Sequence, residues 1–163
     1  MGCCEMGGVL RFKTENELFK KALESRFFKK LASPENKVFC KAEAPNLYGI
    51  PDYVIFTITN SQGAVTYAFE MKLRHWKRAL VQAYCYRAFA NKSYVLLDHS
   101  RIGSPVRHID EFKLSNVGLL SINTEGDVFV HFTPKYAKPY SKRAEVAWLR
   151  QVPDAIKILG VVK

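Results

Sequence analysis

Acidic residues are scarce in this chain. Its 163 residues hold 15 Asp and Glu against 25 Lys and Arg, a net charge of +10. A deficit of that size turns the protein toward polyanions, either nucleic acid or an anionic membrane surface. Cysteine is sparse as well. Cys3, Cys4, Cys40 and Cys85 contain no CxxC pair, which argues against a zinc site; so few thiols fit a reducing, cytoplasmic setting. No stretch of eighteen consecutive apolar residues occurs, so no membrane span is expected. The start lacks the basic region and long apolar run of a secretory signal. Internal repeats, low-complexity segments, zinc fingers and helix-turn-helix patterns are missing too, so no separate DNA-reading module is visible.

Hydrophobic residues make up 48 % of the chain, and the length suits one domain with its own core. The opening "MGCCEM" places Gly2 and two cysteines as an acylated anchor would, but Met6 stands where that pattern has Ser or Thr. Residues 1–10 are therefore read as a flexible tail, and no membrane partner is expected. Residues 11–163 read as a single domain, with a core over 14–97 and a C-terminal elaboration over 98–163.

Thr14 and Glu17 have capping-box spacing, and Leu18, Phe19, Ala22 and Leu23 follow at helical intervals, which predicts a helix over 15–31 ending before Pro34. "KVFCKA" (37–42), "DYVIFTIT" (52–59) and "VTYAFEMK" (65–72) read as strands, the last two joined by the turn-forming "NSQGA" (60–64). A helix is predicted over 75–90, with Trp76, Ala79, Ala83, Tyr86 and Ala90 on one stripe. "SYVLL" (93–97) has no alternation and reads as a strand covered on both faces. Ser104 and Pro105 suit the N-cap and first turn of a helix running to Leu114 and ended by Gly118. "LLSI" and "DVFVHF" form two more strands across "NTEGD", and a last helix spans 141–151, broken at Pro153. A hairpin followed by a strand–helix–strand crossover makes an α/β sandwich, a mixed sheet with helices on both faces.

The chemistry sits in the third of these strands. Alternation turns Val65, Tyr67, Phe69 and Met71 to one face and Thr66, Ala68, Glu70 and Lys72 to the other. Glu70 and Lys72 are then neighbours, about 7 Å apart along the strand. If the hairpin pairs through 60–64, Asp52 at the start of its partner strand arrives beside them. Two carboxylates held close repel unless a cation lies between them, and oxygen ligands suit Mg²⁺ or Mn²⁺. Such an ion beside a lysine equips a site to cleave a phosphodiester. The plainer reading is one Glu–Lys ion pair on a surface hairpin, worth well under about 1 kcal/mol.

"GIPDYVIF", followed eighteen residues on by "FEMK", resembles the signature of the PD-(D/E)xK nuclease superfamily, and "HWKRALVQAYCYRAFANKSYVLL" resembles the helix and strand that follow it. The resemblance covers about residues 14–97. It implies a restriction-endonuclease-like fold with core order α-β-β-β-α-β and a Mg²⁺- or Mn²⁺-dependent nuclease acting on DNA. By that resemblance Asp52 and Glu70 would be metal ligands, Lys72 the catalytic lysine and Gln82 an accessory catalytic group. The family often adds an acidic residue from its first helix. On a helical wheel Glu15 falls amid the stripe of Leu18, Phe19 and Ala22, whereas Glu17 and Glu24 fall opposite; Glu15 is the candidate third ligand, with a helix-dipole role as its ordinary alternative. Gln82 shares the sheet-facing stripe and is otherwise a core amide bonded to backbone.

Arg74, His75, Lys77, Arg78, Arg87 and Lys92 are expected around the site as nucleic-acid contacts. Lys135, Lys138, Lys142 and Arg143 form a second basic group interleaved with Tyr136 and Tyr140, a composition that contacts phosphates and stacks on unpaired bases. His99, His108 and His131 have no ligand spacing. A chain this small would cut both strands of a duplex as a homodimer, although no interface is legible. The alternatives are a nucleic-acid-binding module on the same fold that does not cut, and a basic peripheral membrane protein.

Overall fold

A computed structural model describes residues 9–61 and 63–159. The "MGCC" motif lies outside the described residues, as does the expected tail apart from Val9 and Leu10, which are exposed. The first helical segment is two helices, α1 (Glu15–Glu24) and α2 (Arg26–Leu31). Thr14 caps α1 as its sequence spacing predicts, its hydroxyl accepting from Glu17 N at 3.1 Å. The expected single helix over 15–31 is broken at Ser25, which has extended backbone angles. Its hydroxyl donates to Ala22 O at 2.6 Å and accepts from Phe28 N at 3.4 Å. A serine that bonds to the backbone on both sides ends one helix and starts the next.

Strands β1 (Lys37–Ala42), β2 (Tyr53–Thr59) and β3 (Gly63–Lys72) form an antiparallel meander. Helix α3 (Trp76–Tyr86) carries the chain over to β4 (Lys92–Asp98), parallel to β3. Two short helices, α4 (Gly103–Arg107) and α5 (Ile109–Ser115), lead to β5 (Gly118–Ile122), parallel to β4, and β6 (Val128–Phe132) closes the sheet antiparallel to β5. The six strands lie in chain order, and α6 (Lys142–Leu149) and α7 (Ala155–Leu159) end the described chain. The result is an α/β protein with a six-stranded mixed sheet flanked by helices. Among the described residues no helix is long and apolar enough to cross a membrane.

Two expectations near α4 and α5 fail. Ser104 lies inside α4 rather than capping it, and the chain breaks at His108 instead of running to Leu114 as one helix. The stop comes from Asn116, in the left-handed conformation (φ 51°), not from Gly118. Gly118 opens β5 instead, where a Cβ would lie 2.2 Å from the Tyr94 ring.

The faces of β3 divide as their alternation predicts. Val65, Tyr67, Phe69 and Met71 pack with Leu18, Ala22 and Phe28 of α1 and α2. Ala68 joins the other layer, with Ala79, Ala83 and Tyr86 of α3, Phe112 of α5 and Trp148 of α6. Trp148 fixes that layer by donating its indole N–H to the Thr66 hydroxyl at 3.1 Å.

Candidate active site

The β2–β3 ladder runs to the pair Tyr53 and Phe69. One step further, Asp52 precedes the strand opposite Glu70, after a buried Pro51. Asp52 Oδ2 accepts the Met71 backbone N–H at 2.7 Å, which fastens the carboxylate to β3. Glu70 is 1 % exposed. Its Oε2 accepts the Tyr86 hydroxyl at 2.6 Å, and its Oε1 lies 3.1 Å from Lys72 Nζ. Lys72 Nζ is also 3.6 Å from Glu15 Oε2, so the ammonium joins α1 to β3, while α3 reaches the same site through the Tyr86–Glu70 bond.

Burial pushes the Asp52 carboxyl above its ordinary range. The Met71 N–H and the Lys72 charge pull it down, and the Glu15 and Glu43 charges push it further up. Burial also raises Glu70; the Tyr86 hydrogen bond opposes this, the Asp52 charge adds to it, and Lys72 opposes it again. For Lys72, burial alone would favour the neutral amine, but the charges of Glu70 and Asp52, the bond to Glu70 and the charge of Glu15 together carry it upward. Lys72 is thus held as an ammonium between carboxylates that resist ionising.

Glu15 is not packed beneath the stripe where the wheel puts it. As the first residue of α1 its side chain is 52 % exposed, and it passes over the edge of the sheet to Lys72. With Glu43 and Asp52 it lines a cleft of about 280 Å³ that Phe19 and Met71 also line. Glu43 has no sequence signal; the left-handed backbone there (φ 46°) turns the chain at the end of β1. Among the described residues no group of three or more His, Cys, Asp or Glu side chains is gathered to hold a metal ion.

Gln82 is half-buried on α3, and its Oε1 is buried without a hydrogen-bond partner. The contact to Glu70 comes from Tyr86, one turn further along the same helix. Both residues lie on the stripe visible in the sequence; the phenol is longer than the amide, and it alone bonds to the carboxylate.

The basic residues separate into two places. Arg74 and His75 line a hollow of about 230 Å³ with Arg101, beyond the end of β3. His75 has left-handed backbone angles and precedes α3 without capping it, and Lys77 and Arg78 are exposed on the first turn. Arg87 and Lys92, expected near the site, are at the other end. Arg87 donates to Ser115 O at 2.8 Å, and Lys92 pairs with Tyr67, five residues before Lys72 along β3. Lys138, Lys142 and Arg143 also lie there, because the backbone N–H groups of Tyr140 and Ser141 bond to the carbonyls of Arg87 and Ala88. Lys142 is paired with Glu145 at 3.0 Å.

His99 and His131, without ligand spacing in the sequence, converge on the buried Ser121 hydroxyl at 2.8 Å and 2.7 Å. Pairing of β5 with β4 on one side and β6 on the other creates that arrangement, so chain spacing carries no trace of it.

No protein family, characterised protein or solved structure was found to match this chain. Asp52 and Glu70 present hard oxygen donors whose mutual repulsion a divalent cation would relieve, and Mg²⁺ needs only one or two carboxylates when waters and a substrate phosphate complete its shell. The donor set therefore fits Mg²⁺ or Mn²⁺, and Lys72 lies within reach of an anion placed beside them.

Proposed function

We propose that this protein is a metal-dependent nuclease that hydrolyses DNA phosphodiester bonds, an endonuclease of the PD-(D/E)xK type on a restriction-endonuclease-like fold. The observation that carries the reading is the meeting of Asp52, Glu70 and Lys72 at one end of the β2–β3 hairpin, with both carboxyls raised and the lysine kept charged. A surface ion pair would not bury Glu70 to 1 % exposure or tie it to a phenol from another element.

Asp52 and Glu70 would hold Mg²⁺ or Mn²⁺, which when bound supplies Lewis-acid polarisation of the phosphate and acidifies a coordinated water. Lys72, as an ammonium, is unsuited to be a base. Its work is to stabilise the extra negative charge that develops on the phosphate oxygens as a water oxygen attacks phosphorus and one bridging P–O bond breaks. Tyr86 keeps Glu70 in position through the 2.6 Å bond, and because burial and Glu70 raise its own pKa it remains a neutral donor. Glu15 orients Lys72 from the solvent side. Arg74, His75, Lys77 and Arg78 supply backbone-phosphate contacts beside the site.

A second reading, a module on the same fold that binds DNA without cutting it, is favoured by one observation: Lys72 and Tyr86 already occupy both Glu70 oxygens. Incubation with linear, circular, branched and single-stranded DNA, in Mg²⁺, Mn²⁺ or EDTA, beside Asp52→Ala and Lys72→Ala, separates the two. Metal-dependent scission lost in both variants supports the nuclease. Binding without scission on every substrate supports the module.

A further inference from the structure

Three tyrosines form an exposed platform at the far end of α3. Tyr140 donates its hydroxyl to Cys85 O at 3.1 Å, and its ring meets Tyr48 edge-on with centroids 6.0 Å apart. Tyr84 lies on the outer face of α3 with the Arg87 guanidinium 5.5 Å from its ring, and Arg87 is itself anchored to Ser115 O. Despite these anchors the rings stay 42 % (Tyr48), 46 % (Tyr84) and 53 % (Tyr140) exposed. What sets these rings apart is their grouping on a chain of +10 charge, since clustered exposed aromatic surface marks an interaction site where scattered residues do not.

The platform is joined to the candidate site. The loop bearing Tyr48 packs on Tyr86: a Cβ at Gly49 would lie 3.1 Å from that ring, and Ile50 O is 3.2 Å from its hydroxyl, which bonds to Glu70. The outer face of α3 runs from the exposed Lys77 and Arg78 on its first turn, past the exposed Val81, to Tyr84. Its eleven residues span about 16 Å. Lys138 and Arg143 flank Tyr140 in the chain and are both exposed.

We infer that this face binds single-stranded DNA, with unpaired bases stacked on Tyr84 and Tyr140 and the sugar–phosphate chain led along α3 toward Lys72. Charge selects a polyanion over a second copy of the chain, since two such surfaces would repel each other. Aromatic rings select unpaired bases, because a duplex keeps its base faces stacked inside. Polar side chains able to read base edges in a major groove stand only at the start of this face, at Lys77 and Arg78, and Val81 and Tyr84 occupy its centre. The inference rests on the nuclease reading for where the strand leads, but not for the platform itself.

Fluorescence anisotropy in EDTA, on the whole chain, tests it without requiring cleavage. The probes are a labelled strand of about 20 nucleotides, long enough to exceed a single-strand site, its blunt duplex, and an abasic strand of the same length. The base-bearing strand should bind about ten-fold tighter than either of the others, and Tyr84→Ala and Tyr140→Ala should each remove about ten-fold from that strand alone, with Tyr84→Phe near wild type. Equal binding of the base-bearing and abasic strands by the wild-type protein overturns the proposal, whatever the variants do. So does tighter binding of the duplex, or sedimentation showing a dimer that Tyr84→Ala dissociates. If strand binding behaves as expected but Mg²⁺ produces no scission, the nuclease reading fails and the platform stands.

Discussion

Tyr86 and Glu70 are joined by a 2.6 Å hydrogen bond between a helix and a strand, inside the layer that α3 forms over β3. That bond lowers the Glu70 carboxyl, against the burial that raises it. Tyr86→Phe keeps the ring and removes the donor. It should cost about 1.5–3 kcal/mol of stability, as for a hydrogen bond to a charged group, and leave Glu70 harder to ionise. The acidic limb of a cleavage pH profile should move to higher pH, with the rate at alkaline pH little changed. An unmoved limb would mean that ionisation of Glu70 does not control the reaction.

Asp52 tests the cost of bringing two carboxylates together. Its pKa and that of Glu70 are raised from ordinary values of 3.8 and 4.5. A carboxyl raised on folding favours the folded state while protonated, so its contribution is present below the unfolded value and is lost as pH rises through the folded one. Asp52→Asn retains an acceptor for Met71 N–H and removes the charge. In EDTA, the stability difference between variant and wild type should therefore grow in the variant's favour from about pH 4 upward. Thermal melts across that range measure it; a variant that loses ground as pH rises would contradict the assignment.

Gly118 is pressed against Tyr94, where β5 begins beside β4. Gly118→Ala should destabilise by about 1–3 kcal/mol through overpacking, seen as a lower midpoint in urea with little change in slope. A neutral substitution would show that this register of β4 and β5 is wrong.

Much of this architecture is legible in the chain because it is local. The alternation of β3 places Phe69 and Glu70 on opposite faces, and the hairpin places Asp52 beside Glu70, with only pairing distance and strand period needed. Thr14 declares its cap in four residues. Other features depend on what packs against them. Ser25 breaks a helix that the helical spacing of Leu18, Phe19, Ala22 and Leu23 gives no reason to stop, because its hydroxyl competes for the backbone. Gly118 reads as a helix stop until the Tyr94 ring is seen against it. At the site, Gln82 and Tyr86 share a stripe, and only three-dimensional reach selects the tyrosine. Arg87 reads as a free cation until Ser115 arrives from a distant helix end, and Glu43 is drawn to Asp52 by a turn with no motif of its own.

The central claim is that Asp52, Glu70 and Lys72 form one metal-dependent hydrolytic site. Its most direct measurement is single-turnover DNA cleavage in Mn²⁺ alongside Mn²⁺ titration of the same samples, for wild type, Asp52→Asn and Lys72→Ala. Asp52→Asn should lose both metal binding and cleavage. Lys72→Ala should still bind metal yet cleave at least about 100-fold more slowly, the loss expected for removing a group that stabilises transition-state charge. Cleavage at the wild-type rate by either variant, or wild-type protein that neither binds Mn²⁺ nor cuts any DNA, would contradict it.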